Sequence, residues 1–352
     1  MIRLLIVDDS SFIRRQLARM VQSERDITVV GHGANGDEAL KLIDSMKPDV
    51  VTLDVEMPGT DGMTALKQLR RRPTKPAILM CSTLTVSGSR TAVEALSLGA
   101  ADVIAKDTAG DSTGAFKADL LAKIRALGTK RTPAGRSTTR MPPSRLPQPP
   151  RNLKLIAIGS STGGPPVLEQ IIRSLPERPG VAVAIAQHMP AMFTKSLAER
   201  LNEQCRVSVK MAVHGEAVTP GHVYICEGGT NTRIDGRANS ARFAPGRPSD
   251  AGTYFPSVDA LLRSSAESMG TSVLGIVLTG MGEDGKLGAQ ALQGAGAKVV
   301  AQDARSCVVY GMPRAVVEAG FADAVMDPNS VTQLVSSLAA AGSGGVPVRR
   351  SA

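Results

Sequence analysis

Short apolar runs recur through the first third of the chain, at Leu4–Val7, Thr28–Gly31, Val50–Leu53, Ala77–Cys81 and Asp102–Ala105. Each is too short for a helix and predicts a buried strand. Amphipathic stretches near residues 11–22, 36–46, 62–71, 89–98 and 115–127 lie between and after them and predict helices. Five such β/α units predict an α/β domain with a doubly wound parallel sheet, whose functional residues gather at the carboxyl ends of the strands. A second alternation starts at Leu153. Leu155–Gly159, Val181–Gln187, Leu274–Thr279 and Lys298–Ala301 predict buried parallel strands, with helices near 165–175, 191–203, 257–268 and 283–295. Between 205 and 245 the apolar runs are shorter and glycines many, which predicts a small antiparallel excursion from this second doubly wound α/β domain.

The pattern lapses between the two alternations. Residues 128–152, rich in Pro, Arg and Ser, cannot bury apolar area and predict a flexible linker. The expected organisation is a first domain over 1–127, the linker over 128–152, a second domain over 153–340 and a disordered tail over 341–352.

The charge follows the same division. The net charge is +9, but Lys130, Arg131, Arg136, Arg140, Arg145, Arg151 and Lys154 occur without an acidic residue among them. The basicity is thus mainly a property of the linker. No groove-reading motif accompanies it, and aromatics are 3% of the chain with no Trp, which argues against nucleic-acid binding. Cys81, Cys205, Cys226 and Cys307 are far apart and suggest neither a zinc site nor a disulfide framework. The start, MIRLLIVDDS, is unlike a signal peptide, and no apolar run approaches the roughly 18 residues of a membrane span. A soluble cytoplasmic protein is expected.

In the first domain Asp8 and Asp9 follow the first strand, Asp54 ends the third, Ser82 ends the fourth and Lys106 follows the fifth. In a doubly wound sheet these ends are neighbours. Crowded carboxylates need a cation, and all-oxygen ligands suit Mg²⁺. A carboxylate beside Mg²⁺ and a lysine has the parts needed to capture a phosphoryl group.

In the second domain LKLIAIGSSTGGP is a strand, a small-residue loop and a helix start. The loop reads as a phosphate cradle, a tight turn, or a presentation of Ser161 as nucleophile in Gly159-Ser160-Ser161-Thr162-Gly163, which fits G-x-S-x-G. The cradle reading lacks the P-loop lysine. A serine needs a base. His188 follows the strand VAVAIAQ and shares the carboxyl edge with Ser161, whereas His214 and His222 lie in the irregular stretch and His32 in the other domain. Asp284, in the turn after SVLGIVLTG, reaches the same edge as an orienting carboxylate, with Glu283 as a rival and a cap on the following helix as the structural alternative. The order Ser161, His188, Asp284 differs from the Ser, acid, His order of α/β-hydrolases.

LLIVDDS, VTLDVEMPGTDGM, ILMCSTLT and the late Lys106 resemble the response-regulator receiver domain, a flavodoxin-like fold. That resemblance implies Asp54 as phosphoacceptor, Mg²⁺ held by Asp8, Asp9, Asp54 and the Glu56 carbonyl, and phosphoryl contacts from Ser82 and Lys106. Asp107, where the family has Pro, and Val103, where it has an aromatic residue, depart from the pattern. IAIGSSTGGP, AIAQHMP, VYICEGGTN, FPSVDALLRSSAE, VLTGMGEDGKLGAQALQGAGAKVVAQD and VVYGMPRAVVEAG resemble the CheB chemotaxis methylesterase family over residues 153–335. This implies Ser161, His188 and Asp284 as the triad, the Met281 N–H in an oxyanion hole and Thr162 supporting His188. It also implies hydrolysis of glutamate methyl esters, and deamidation of glutamine, on methylated chemoreceptors. A CheA-type histidine kinase would donate the phosphoryl group, the enzyme would be recruited to receptor arrays, and the unphosphorylated receiver would cover the catalytic edge. A serine peptidase or small-ester hydrolase and a non-catalytic binding module remain as rivals.

Overall fold

Leu4, Leu5, Ile6 and Val7 are all buried, as a strand covered on both faces requires. They belong to β1 (Ile2–Val7), which lies with β2 (Ile27–Gly33), β3 (Val50–Asp54), β4 (Ala77–Ser82) and β5 (Asp102–Ala105) in one parallel sheet of order β2-β1-β3-β4-β5. Helices α1 (Ser11–Val21), α2 (Gly36–Met46), α3 (Gly62–Arg70), α4 (Val86–Ser97) and α5 (Gly114–Gly128) complete the units. The side chains of Ser10, Asn35, Asp61 and Thr85 cap the first four helices. The strand order reverses at β1 and β3, so the residues after these strands face a shared crevice.

This computed structural model describes residues 1–72, 75–83, 85–106, 114–128, 152–250 and 254–341. The chain divides into two compact units at Gly135 and Arg136. Of the predicted linker, Gly128 closes α5 and Asn152 belongs to the second unit, while 129–151 lie outside the described residues, as do Asp107 and 342–352. Ala341, expected in the tail, ends a helix.

The last glycine of the run LDVEMPGTDG, Gly62, has a packing reason. A Cβ on Gly62 would lie 1.9 Å from the Asp54 carbonyl oxygen. That oxygen is backbone and cannot swing aside. Gly62→Ala is expected to destabilise the first unit by about 1–3 kcal/mol, read as a lower urea midpoint at unchanged slope.

The second unit comprises β6 (Leu155–Ser160), α6 (Gly164–Arg173), β7 (Ala182–Gln187), α7 (Ala191–Gln204), β8 (Ser208–Met211), β9 (His222–Ile225), β10 (Thr232–Asp235), β11 (Arg242–Pro245), α8 (Val258–Met269), β12 (Val273–Val277), α9 (Lys286–Gly294), β13 (Lys298–Gln302), α10 (Met312–Glu318), β14 (Ala324–Met326) and α11 (Pro328–Ala341). Seven strands form a parallel sheet of order β14-β13-β12-β6-β7-β9-β8. The antiparallel excursion is small, as expected. Among the described residues β10 and β11 pair antiparallel, Ala217 adds an antiparallel bridge to Arg242 of β11, and β8 and β9 extend the main sheet in parallel. The loop between β8 and β9 returns along β11, with Gly215 N donating to Phe243 O at 2.7 Å and Val218 N to Ala241 O at 2.9 Å, and this satisfies its backbone without a hairpin. Here the order reverses at β6, which has β7 on one side and β12 on the other.

Candidate active site

β6 and β7 are paired through Ser160 and Gln187, so the next residues, Ser161 and His188, emerge side by side at the carboxyl edge. His188 N donates to Ser160 O at 3.0 Å, and Ser161 N donates to Thr279 O, beyond β12, at 3.0 Å. The loop after β6 is tight. Gly163 has φ +79°, and a Cβ on Gly164 would lie 2.4 Å from Gln187 Oε1. Gln187 holds the loop from the neighbouring strand: its Oε1 accepts from Ser160 Oγ at 2.6 Å and its Nε2 donates to Ser161 O at 3.0 Å.

His188 Nε2 donates to Asp284 Oδ2 at 2.8 Å. The same oxygen accepts from Val258 N at 2.8 Å, and Oδ1 accepts from Asp259 N at 2.8 Å, Gly285 N at 3.0 Å and Ser257 Oγ at 3.2 Å. Burial pushes the Asp284 carboxyl up. The hydrogen bond and charge of His188 and the Asp259 and Val258 N–H groups outweigh it and hold the carboxyl below its ordinary range. An ionised carboxylate only accepts, so in the neutral imidazole Nε2 carries the proton and the Nδ1 lone pair is left over. Nδ1 is buried and has no hydrogen-bond partner among the described residues.

The alternative reading, a cap on the following helix, gives way to an exchange. Asp284, which precedes α9, caps α8, and Asp259, in the first turn of α8, caps α9 by accepting from Gly285 N at 2.9 Å and Gly288 N at 2.7 Å. Burial, with the Asp284 charge adding to it, pushes the Asp259 carboxyl up to about 6 against those hydrogen bonds. Glu283, the rival carboxylate, has a side chain 73% exposed and pairs with Lys286 at 3.1 Å. His222 begins β9 and His214 is exposed in the loop before it, so neither reaches this edge.

Met281 lies between Gly280 and Gly282, and a Cβ on Gly280 would lie 2.8 Å from Ser161 Cβ. Among the described residues the Met281 N–H has no hydrogen-bond partner. Thr162 is buried, and its carbonyl accepts from Thr279 Oγ1 at 2.9 Å. A cleft of about 520 Å³, lined in part by Tyr254, Gly282, Asp284 and Leu287, opens on the Asp284 turn; Ser161, His188 and Met281 do not line it. Tyr254, Gln187 and Asp259 are parts of the site that sequence reasoning missed. The only signal for them was position: two of them flank the motif FPSVDALLRSSAE or lie in it, and Gln187 precedes His188.

In the first unit Lys106 Nζ lies 2.8 Å from Asp8 Oδ2 and 2.7 Å from Asp54 Oδ2. Burial pushes the Asp54 carboxyl up to about 6, with Asp8 adding to it and Lys106 opposing it. Burial lowers the Lys106 ammonium, but its hydrogen bonds to Asp54 and Asp8 win and raise it. Carboxylate oxygens of Asp8, Asp9 and Asp54 lie within 4.8 Å of one another, an all-oxygen set that fits Mg²⁺. Glu56 N donates to Asp54 Oδ1 at 3.4 Å, and the Glu56 side chain is exposed. Ser82 is at the expected strand end, but its hydroxyl donates to Gly88 O at 2.9 Å. Val103 is buried in β5.

Residues 156–335 match the family model described as CheB methylesterase, and residues 4–113 match the response regulator receiver domain. The chain belongs to the CheB methylesterase family. A protein-glutamate methylesterase/protein-glutamine glutaminase of Lawsonia intracellularis is 38% identical over 96% of this chain and 99% of its own. One from Saccharophagus degradans is 41% identical over 94% and 98%. The solved CheB methylesterase catalytic domain of Thermotoga maritima is 38% identical, covers 53% of this chain and all of its own length, and superposes with a TM-score of 0.51. Like its relatives, this CheB-family chain is an enzyme, a hydrolase joined to a response-regulator receiver domain. Receiver domains are phosphorylated with the aid of Mg²⁺ and imply a histidine kinase partner. Among the described residues no helix is long and apolar enough to cross a membrane.

Proposed function

We propose that this enzyme hydrolyses glutamate methyl esters, and deamidates glutamine side chains, on the cytoplasmic helices of chemoreceptors during chemotaxis adaptation, under control of phosphorylation at Asp54. The observation that carries the reading is the His188–Asp284 hydrogen bond of 2.8 Å at the strand end beside Ser161. His188 Nδ1 takes the Ser161 proton as Oγ attacks the ester carbonyl. The Met281 N–H stabilises the oxyanion. His188 then gives the proton to departing methanol, or to ammonia from glutamine, and withdraws a proton from the water that releases the acyl group as a carboxylate. Asp284 holds the imidazole in the tautomer that leaves Nδ1 free, and Thr162 supports the same ring.

In the receiver, Asp54 accepts a phosphoryl group from a CheA-type histidine kinase, and Ser82 and Lys106 contact that group. Asp8, Asp9, Asp54 and the Glu56 carbonyl would hold Mg²⁺, which supplies charge to offset the transferred phosphoryl oxygens. The division into a receiver over 1–127, a basic tether over 128–152, a catalytic unit over 153–340 and a tail over 341–352 belongs to this reading. So does a cytoplasmic location at receptor arrays.

The test is methanol release from methylated receptor membranes with and without a small phosphoryl donor. Release that rises with the donor in the wild type, and in Asp54→Asn stays at the unstimulated rate, is the expected result. Equal stimulation of Asp54→Asn would overturn the regulatory half. No release from any methylated receptor by folded protein would overturn the substrate.

A further inference from the structure

The ring of Tyr254 lies on the imidazole of His188, with centroids 4.4 Å apart and planes inclined by 8°. On the loop that carries Met281 and Asp284, a Cβ on Gly282 would lie 3.0 Å from Tyr254 Oη. Tyr254 thus touches the base and the turn that orients it. Its own chain is held at both ends by one residue. Asn231, buried, donates through Nδ2 to Asp250 O at 3.0 Å and accepts through Oδ1 from Ser257 N at 2.7 Å. Asp250 is in turn fixed by the buried Arg233 at 2.8 Å and by Arg247 N at 2.8 Å.

We propose that Tyr254 is a positioning residue for His188: its stacked ring, clamped in place through Asn231, fixes the plane of the imidazole so that Nδ1 is presented to Ser161. The inference rests on the triad reading above. The hydrogen bond to Asp284 ties the far end of the ring at a single atom, and a planar neighbour supplies the constraint on its tilt that this bond lacks. The stack also covers one face of an imidazole whose side chain is 7% exposed. A tyrosine face attracts cations, so the contact strengthens as His188 takes the serine proton, which places its effect on the chemical step and not on substrate binding.

The test separates the two layers. A fluorophosphonate probe reports activation of Ser161 without a receptor, since Oγ displaces fluoride from phosphorus. Full-length wild type, Ser161→Ala, Tyr254→Phe and Tyr254→Leu are compared for the rate of labelling, for kcat and KM on methylated receptor membranes, and for thermal midpoint. Ser161→Ala is expected to take no label. Tyr254→Leu should label about 10–100-fold more slowly and lose kcat by a similar factor at unchanged KM, the scale of a small misplacement of a reacting group. Tyr254→Phe, which keeps the stack, should stay close to wild type. If the leucine variant melts early, Tyr254→Gln replaces it in the same comparison. Labelling of a folded non-aromatic variant at the wild-type rate, with Ser161→Ala still unlabelled, overturns the proposal and leaves the triad standing. Wild type that takes no label at Ser161 removes the triad reading and the proposal with it.

Discussion

Methanol release by Ser161→Ala is expected to fall about a millionfold, to the residual rate that substrate binding and the oxyanion donors sustain without a nucleophile. The magnitude follows from what the residue would do. In the neutral imidazole His188 has one free lone pair, on Nδ1, and among the described residues it has no hydrogen-bond partner. Without Ser161 that lone pair has no hydroxyl to activate. The fold should be untouched: Ser161 is held through its backbone, by Thr279 O at 3.0 Å and Gln187 Nε2 at 3.0 Å, and alanine keeps both bonds. Unchanged thermal melting with lost turnover is therefore the signature. A fall of only a few-fold in a clean preparation would assign the chemistry to another group.

Asp284→Asn is expected to lose about 10⁴-fold in turnover, the scale seen when a triad carboxylate becomes an amide and the histidine tautomer is no longer set. Unlike the serine change it should also lower stability. Both Asp284 oxygens accept: Oδ2 from His188 and Val258, and Oδ1 from Ser257, Asp259 and Gly285. Whichever oxygen becomes an NH₂ meets groups that can only donate among its backbone neighbours. Each buried donor left unpaired costs about 1–3 kcal/mol, and the α8 N-terminus loses a compensating negative charge. The check is a paired measurement of methanol release and urea unfolding. Lost activity at full stability would show that Asp284 is not the cap of α8 in solution.

The strand ends were legible in the chain because buried parallel strands read as short apolar runs. Leu155–Ser160 and Ala182–Gln187 are buried throughout, so any polar residue immediately after them must emerge at the sheet's carboxyl edge. That reasoning located Ser161, His188, Asp8 and Asp54. Contacts among the connecting loops were less legible. Ser82 sits at the expected strand end, yet its hydroxyl is turned to Gly88 O. The short runs and glycines between 205 and 245 gave the small antiparallel excursion, while the parallel pairing of β8 with β9 was not legible there, since the loop between them finds its partners on β11.

By itself the sequence determined two α/β alternations, the division between them and the residues that end the strands, because hydrophobic period and run length are local properties of the chain. The tertiary structure alone decided the exchange of caps between Asp284 and Asp259, the Asn231 clamp and the stacking of Tyr254 on His188. Each joins groups that are far apart in the sequence. Which loops become neighbours at the sheet edge depends on strand order, β12 beside β6 beside β7, and no period in the sequence encodes that order.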